Sequence, residues 1–202
     1  GSDPEDPYSG NTANDDFDMR YIDVDNDNTT FSSSKATLTI GDIGCTRVVY
    51  AGLYWSGIYK SNTSGREAIK TIKFQRPGIA GYTDVTGNFI FDGHTNATYS
   101  SNSPYACYAD VTTLIQALNG ASGPNGEYVV ANVRASQVDA GDIGGGVSAG
   151  WTLYIVYENP KLPGKYISSY DGFGAINGSL TNGVDINYSG FTTVPSPQTV
   201  KA

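Results

Sequence analysis

Histidine and methionine each occur once in this chain of 202 residues, cysteine twice, and Lys and Arg together only 12 times. A single imidazole, His94, excludes the multi-histidine ligand sets common in catalytic zinc centres. Twelve basic residues against 20 acidic ones give a net charge of -8, which repels phosphate backbones and anionic bilayers and argues against nucleic acid as a partner. No apolar run reaches the 18 residues of a membrane span, so insertion into a membrane by this domain is not expected. Nor does a basic stretch precede a short apolar one in the manner of a secretion signal. Gly1-Ser2 reads as an expression scar, residues 1–14 as a flexible polar arm, and residues 15–202 as one domain long enough to bury a core without disulfides.

What the chain has instead is glycine, 25 residues of it, 15 tyrosines, and much Ser, Thr and Asn. This balance favours strands joined by turns, as in many secreted or surface-exposed β proteins. Alternating runs recur between Gly, Asn, Ser and Pro clusters. Ala36, Leu38 and Ile40 alternate with Lys35, Thr37 and Thr39, predicting one face in a core and one in water. Val48 to Trp55 is apolar on both faces, which predicts a central strand covered on both sides. Further strands are expected over Ile69–Phe74, Asn88–Phe91, Tyr128–Arg134, Trp151–Tyr157, Tyr166–Tyr170 and Val184–Tyr188. Only Asp110–Leu118 carries helical spacing, with Asp110 as N-cap and Gly120 as stop. The expected fold is all-β: an antiparallel, jelly-roll-like β-sandwich with one short α-helix.

Three groups of residues carry candidate chemistry. Asp23, Asp25 and Asp27 alternate in an acidic loop, with Asp18 near enough to close a shell of hard oxygen ligands, so calcium is the candidate cofactor. The start resembles an EF-hand loop, but Asn28 and Ser34 stand where that loop wants Gly and Glu, and a solvated acidic loop is the alternative. Cys45 and Cys107 can pair in only one way; in an exported chain a bridge closing a loop of about 60 residues is worth ~4 kcal/mol. In a reducing compartment both would be small core residues. For stacking against pyranose rings, with Tyr54, Trp55 and Trp151 assigned to the core, the loop residues Tyr59, Tyr82, Tyr99 and Tyr105 are the candidates. His94 lies in a turn with no nucleophile motif around it, and the Gly141–Gly150 stretch lacks the lysine and helix of a phosphate loop.

Several phrases taken together are similar to one family. They are Asp18-Met19-Arg20-Tyr21-Ile22-Asp23-Val24-Asp25, Phe31-Ser32-Ser33-Ser34, Ala51-Gly52-Leu53-Tyr54-Trp55-Ser56-Gly57, Ala109-Asp110-Val111-Thr112, Ala149-Gly150-Trp151-Thr152-Leu153 and Tyr170-Asp171-Gly172-Phe173. In these the chain, from about Asp15 to its end, resembles the N-terminal region of very large bacterial cell-surface adhesins of the gliding-motility type found in Bacteroidetes. The resemblance implies export, a place at the cell surface as part of a larger protein, and attachment to glycans or abiotic surfaces. It supplies no ligand-contact residues. The function expected is therefore non-catalytic adhesion with calcium-stabilised loops. Its rivals are a structural spacer or cap of a surface filament, and a carbohydrate-active enzyme built on a carboxylate pair.

Overall fold

A computed structural model describes residues 20–60, 63–118, 122–137, 147–174, 187, 189 and 190. Internal contacts divide the chain into two units, Gly1–Leu162 and Pro163–Ala202. The first holds eight strands among the described residues: β1 (Ser33–Leu38), β2 (Arg47–Ile58), β3 (Thr71–Gln75), β4 (Thr83–Thr86), β5 (Asn88–Asp92), β6 (Pro104–Asp110), β7 (Gly126–Ala131) and β8 (Ala149–Glu158). They form two four-stranded antiparallel sheets, β1-β7-β3-β4 (sheet A) and β5-β6-β2-β8 (sheet B), which make the all-β sandwich expected from the alternation. In the second unit, residues 163–174 form neither helix nor strand. The strand expected over Tyr166–Tyr170 is absent: these residues take no strand conformation, and Tyr166 is 77% exposed. The expected Val184–Tyr188 strand lies outside the described residues, apart from Asn187.

β2 is the spine of sheet B, hydrogen-bonded to β6 on one side and β8 on the other. Its inward residues Ala51, Leu53 and Trp55 are almost fully buried and meet Cys107 and Ala109 of β6 and Ile72, Phe74, Tyr128 and Val130 of sheet A. Burial of such large side chains, each worth about 1.5–3 kcal/mol, is the main force holding the layers together. The Trp55 indole N–H donates to the Ile69 carbonyl at 2.9 Å, so its one polar atom is also satisfied. Across the sandwich edge, Trp151 of β8 donates to the Ser34 hydroxyl of β1 at 2.8 Å, a side-chain tie between the two sheets.

Details differ from the sequence expectation for identifiable reasons. The register between β2 and β8 slips between Val48 and Tyr50, a bulge that leaves Val49 42% exposed. Beyond it the outward residues of β2 from Tyr50 to Ser56 are tyrosine, glycine and serine rather than aliphatic. Ala36 is exposed because β1 is an edge strand, while Leu38 packs on the core and Ile40 is buried. Two short α-helices are present rather than one: α1 (Thr63–Glu67) and α2 (Thr112–Gln116). α2 sits within the expected helical segment, and Asp110 accepts a hydrogen bond from the Thr112 backbone N–H at 2.8 Å. Strands β4 and β6 are additional to those expected.

Candidate functional site

The outward face of sheet B is built from alternate residues of its strands. Register places Tyr54 beside Tyr108 of β6 and Thr152 of β8, and Gly52 beside Asp110 and Tyr154. Tyr50 and Tyr54 are four residues apart, about 13 Å along an extended strand. Their hydroxyls nevertheless lie 3.4 Å apart, and the Tyr50 hydroxyl donates to that of Tyr108 at 3.0 Å. The Tyr50 ring must therefore lean along the sheet across Gly52. A Cβ on Gly52 would come within 2.6 Å of the Tyr50 hydroxyl, 2.9 Å of Tyr54 Cε2 and 3.1 Å of Tyr108 Cε2. Glycine is the floor on which three rings meet.

The rings also pack on one another. Tyr54 and Tyr108 have centroids 5.0 Å apart, and Tyr154 approaches Tyr50 edge-on at 6.3 Å. Tyr154 is 37% exposed and the other three are half-buried. Ser56, Asn88, Asp110 and Thr152 flank them, all exposed. At the β5 edge Phe91, outward on its strand, takes Tyr99 edge-on at 5.6 Å, so aromatic surface continues across all four strands. Such an arrangement presents apolar ring surface bordered by hydroxyl, amide and carboxylate groups, a chemistry suited to sugar rings and their hydroxyls. Charge there is sparse. Arg47 is the only cation in the four strands and pairs with Glu158 at 2.6 Å.

No known family, curated protein or solved structure matches this chain. The residues themselves must carry any functional reading.

The sites expected from the sequence are distributed differently. Of the four loop tyrosines, only Tyr99 joins the aromatic surface just described. Tyr105 is a β6 core residue, 1% exposed, whose hydroxyl donates to the Arg134 carbonyl at 2.7 Å; burial pushes its phenol well above the usual range. Tyr59 packs against the core. Tyr82 donates its hydroxyl to Asp25, and burial together with that carboxylate raises its phenol. Tyr50 and Tyr54 were hidden by their place in a strand assigned to the interior, and Tyr108 by lying in β6, a strand not expected. The alternation Tyr50, Gly52, Tyr54, Ser56 was the available signal.

In the acidic loop, each carboxylate is turned to its own backbone and neighbours. Asp23 accepts from the Ser33 hydroxyl at 2.8 Å, Asp25 from the Asp27 N–H at 2.8 Å, and Asp27 from the Thr29 N–H and hydroxyl at 2.8 and 2.7 Å. Burial opposes the charge on Asp25, but hydrogen bonds from Tyr82, the Asp27 N–H and Thr30 prevail and hold its pKa below the ordinary value. Among the described residues no three acidic, histidine or cysteine side chains are placed to share a metal ion, and Asp18 lies outside those residues.

Cys45 and Cys107 are both free. The expected bridge is precluded by register: Cys107 pairs with Trp55, about 27 Å along β2 from Arg47, the strand's first residue, and Cys45 precedes that strand. Burial pushes the Cys107 thiol up to about 12.

Two further features lie away from the tyrosine face. A cavity of about 220 Å³ opens between β1 and β8, lined by Ser33, Ser34, Val130, Val147 and Trp151 among others. Its apolar walls hold no acid–base pair. Beneath the β5–β6 end, the buried Arg66 guanidinium is bound by Asp92 and by the carbonyls of Tyr59 and Ser103, and lies 5.7 Å from the Tyr105 ring. This clamp fixes Ser103, which adopts the left-handed region at φ 47. Ser103 Oγ is 3.5 Å from His94 Nδ1 but donates to the Ser100 carbonyl at 2.9 Å, and Ser103 is 0% exposed. It therefore presents no accessible nucleophile.

Proposed function

We propose that this chain is a non-catalytic adhesion module, exported as part of a larger cell-surface protein, and that it holds glycans through the tyrosine face of sheet B. The single observation carrying this reading is the group Tyr50, Tyr54, Tyr108 and Tyr154 assembled on an outward sheet face around Gly52. Rings fixed by their neighbours lose little rotamer freedom when a sugar stacks on them, so weak contacts are not cancelled by ordering costs. Many copies on one cell would then turn weak single contacts into firm holding. The likeness of the phrases around Gly52 and Trp151 to large gliding-motility adhesins supports the same reading.

A glycan array probed with the intact chain and with the Tyr54→Ala/Tyr154→Ala double variant tests it. The expected result is a defined set of bound glycans whose signal is lost in the variant while the melting midpoint stays near that of the parent. A chain that binds none of the array, or a variant that binds like the parent, would instead support the spacer role.

A further inference from the structure

Resting on that reading, we propose that the ligand is an uncharged polysaccharide, and that Gly52 is the positioning residue that gives the face its preference for it. The charges on the face point to the ligand class. Of the side chains on the four strands of sheet B, Arg47 alone is cationic, and Glu158 already engages it. Asp110, exposed and next to Gly52 in register, places a carboxylate beside the rings. A uronate or sulfated chain laid there would meet a like charge with no unpaired cation on these four strands to answer it, in a protein whose net charge is already -8. A neutral chain meets apolar ring surface for its sugar faces, and Ser56, Asn88, Asp110 and Thr152 for its hydroxyls.

The geometry assigns Gly52 its part. Its backbone is not in the left-handed region, so alanine can be accommodated by the strand itself. The three nearest atoms all belong to tyrosine side chains: 2.6 Å to the Tyr50 hydroxyl, 2.9 Å to Tyr54 Cε2 and 3.1 Å to Tyr108 Cε2. Gly52→Ala should therefore tip rings away from the sheet and roughen the face while leaving the inward core contacts of Ala51 and Leu53 in place.

Affinity electrophoresis of the full chain through gels containing hydroxyethylcellulose, dextran or mannan, and through gels containing alginate or polygalacturonate, tests both parts. The parent, Gly52→Ala, Tyr154→Ala and the sheet A control Thr37→Ala are run together, with melting midpoints measured for each. The expected result is retardation by at least one neutral polymer and by neither acidic one, weakened about fivefold in Gly52→Ala and Tyr154→Ala, with Thr37→Ala unchanged. Equal or stronger retardation by an acidic polymer, lost in Tyr154→Ala, would overturn the uncharged-ligand inference and leave the glycan-binding face standing. Full affinity in Gly52→Ala would overturn the role given to that glycine. Retardation by no polymer, or undiminished in Tyr154→Ala, would overturn the face as a binding surface and this inference with it.

Discussion

The two faces of sheet B are made by the same strands and differ only in which alternate residue each one takes. Inward lie Ala51, Leu53, Trp55, Cys107 and Ala109, closed off from water; outward lie Tyr50, Gly52, Tyr54, Tyr108 and Tyr154. Both are tightly packed. The inner set is held by apolar contact with a second layer, whereas the outer tyrosines are held sideways, by hydroxyl-to-hydroxyl bonds and edge contacts with one another. A period of two thus separates the buried core from the outward face within one sheet. A residue can change on one face with little consequence for the other.

The sharpest way to break this contrast is on the inner side. Leu53, fully buried, should cost about 3 kcal/mol when changed to Ala, because the cavity left behind cannot be filled by rigid neighbours. Urea unfolding measures it, and a loss below about 1 kcal/mol would mean the layers are not packed as described. The thiols give a reading of inside and outside on one molecule. Cys45, exposed, should react with a disulfide reagent in the native protein, whereas Cys107 should react only on unfolding. Two thiols titrated after denaturation without reductant would verify that no bridge joins them.

The acidic loop offers a surface of another kind, with polar groups directed back into their own chain. Tyr82→Phe removes the hydroxyl that Asp25 accepts and should cost about 1 kcal/mol at neutral pH, less than a fully buried charged acceptor because water reaches this one. The folded Asp25 carboxyl titrates below its unfolded value, so this stabilisation is present above the unfolded pKa and is lost as pH falls through the folded one. Parent and variant should converge in stability under acid; a gap that persists there would place the effect elsewhere than on that carboxylate. Smallest of all, Tyr50→Phe deletes the half-buried bond to Tyr108 and should lower stability by about 0.5 kcal/mol, read from the urea midpoint.

Much of the sandwich was legible because strand alternation reports which residues need cover. Trp151, Leu153 and Ile155 alternate cleanly and do pack on the core. The same rule misled at β2, where tyrosine counted as apolar on the outward side. Tyrosine has both a ring to pack and a hydroxyl to pair, so it serves on an outward face as well as in a core, and Tyr50, Tyr54 and Tyr108 bond to one another there. Local spacing could not reveal that Gly52 serves as a floor, since the rings that meet over it come from β2 and from β6, more than fifty residues on. The Cys45–Cys107 distance was hidden for the same reason: it depends on register, which no local pattern of these residues states. At Asp23, Asp25 and Asp27 the alternate spacing said nothing of the bonds these short side chains make to nearby backbone, which depend on how the loop turns.

The bond from Trp151 to Ser34 has a mechanical meaning. It joins the outermost strand of one sheet to the outermost strand of the other, along the seam where a sandwich opens most readily. A tug on β8 is thereby passed to β1 and shared by both layers instead of peeling one strand away. In the adhesive role proposed above, this would place a fastener where the strain first arrives.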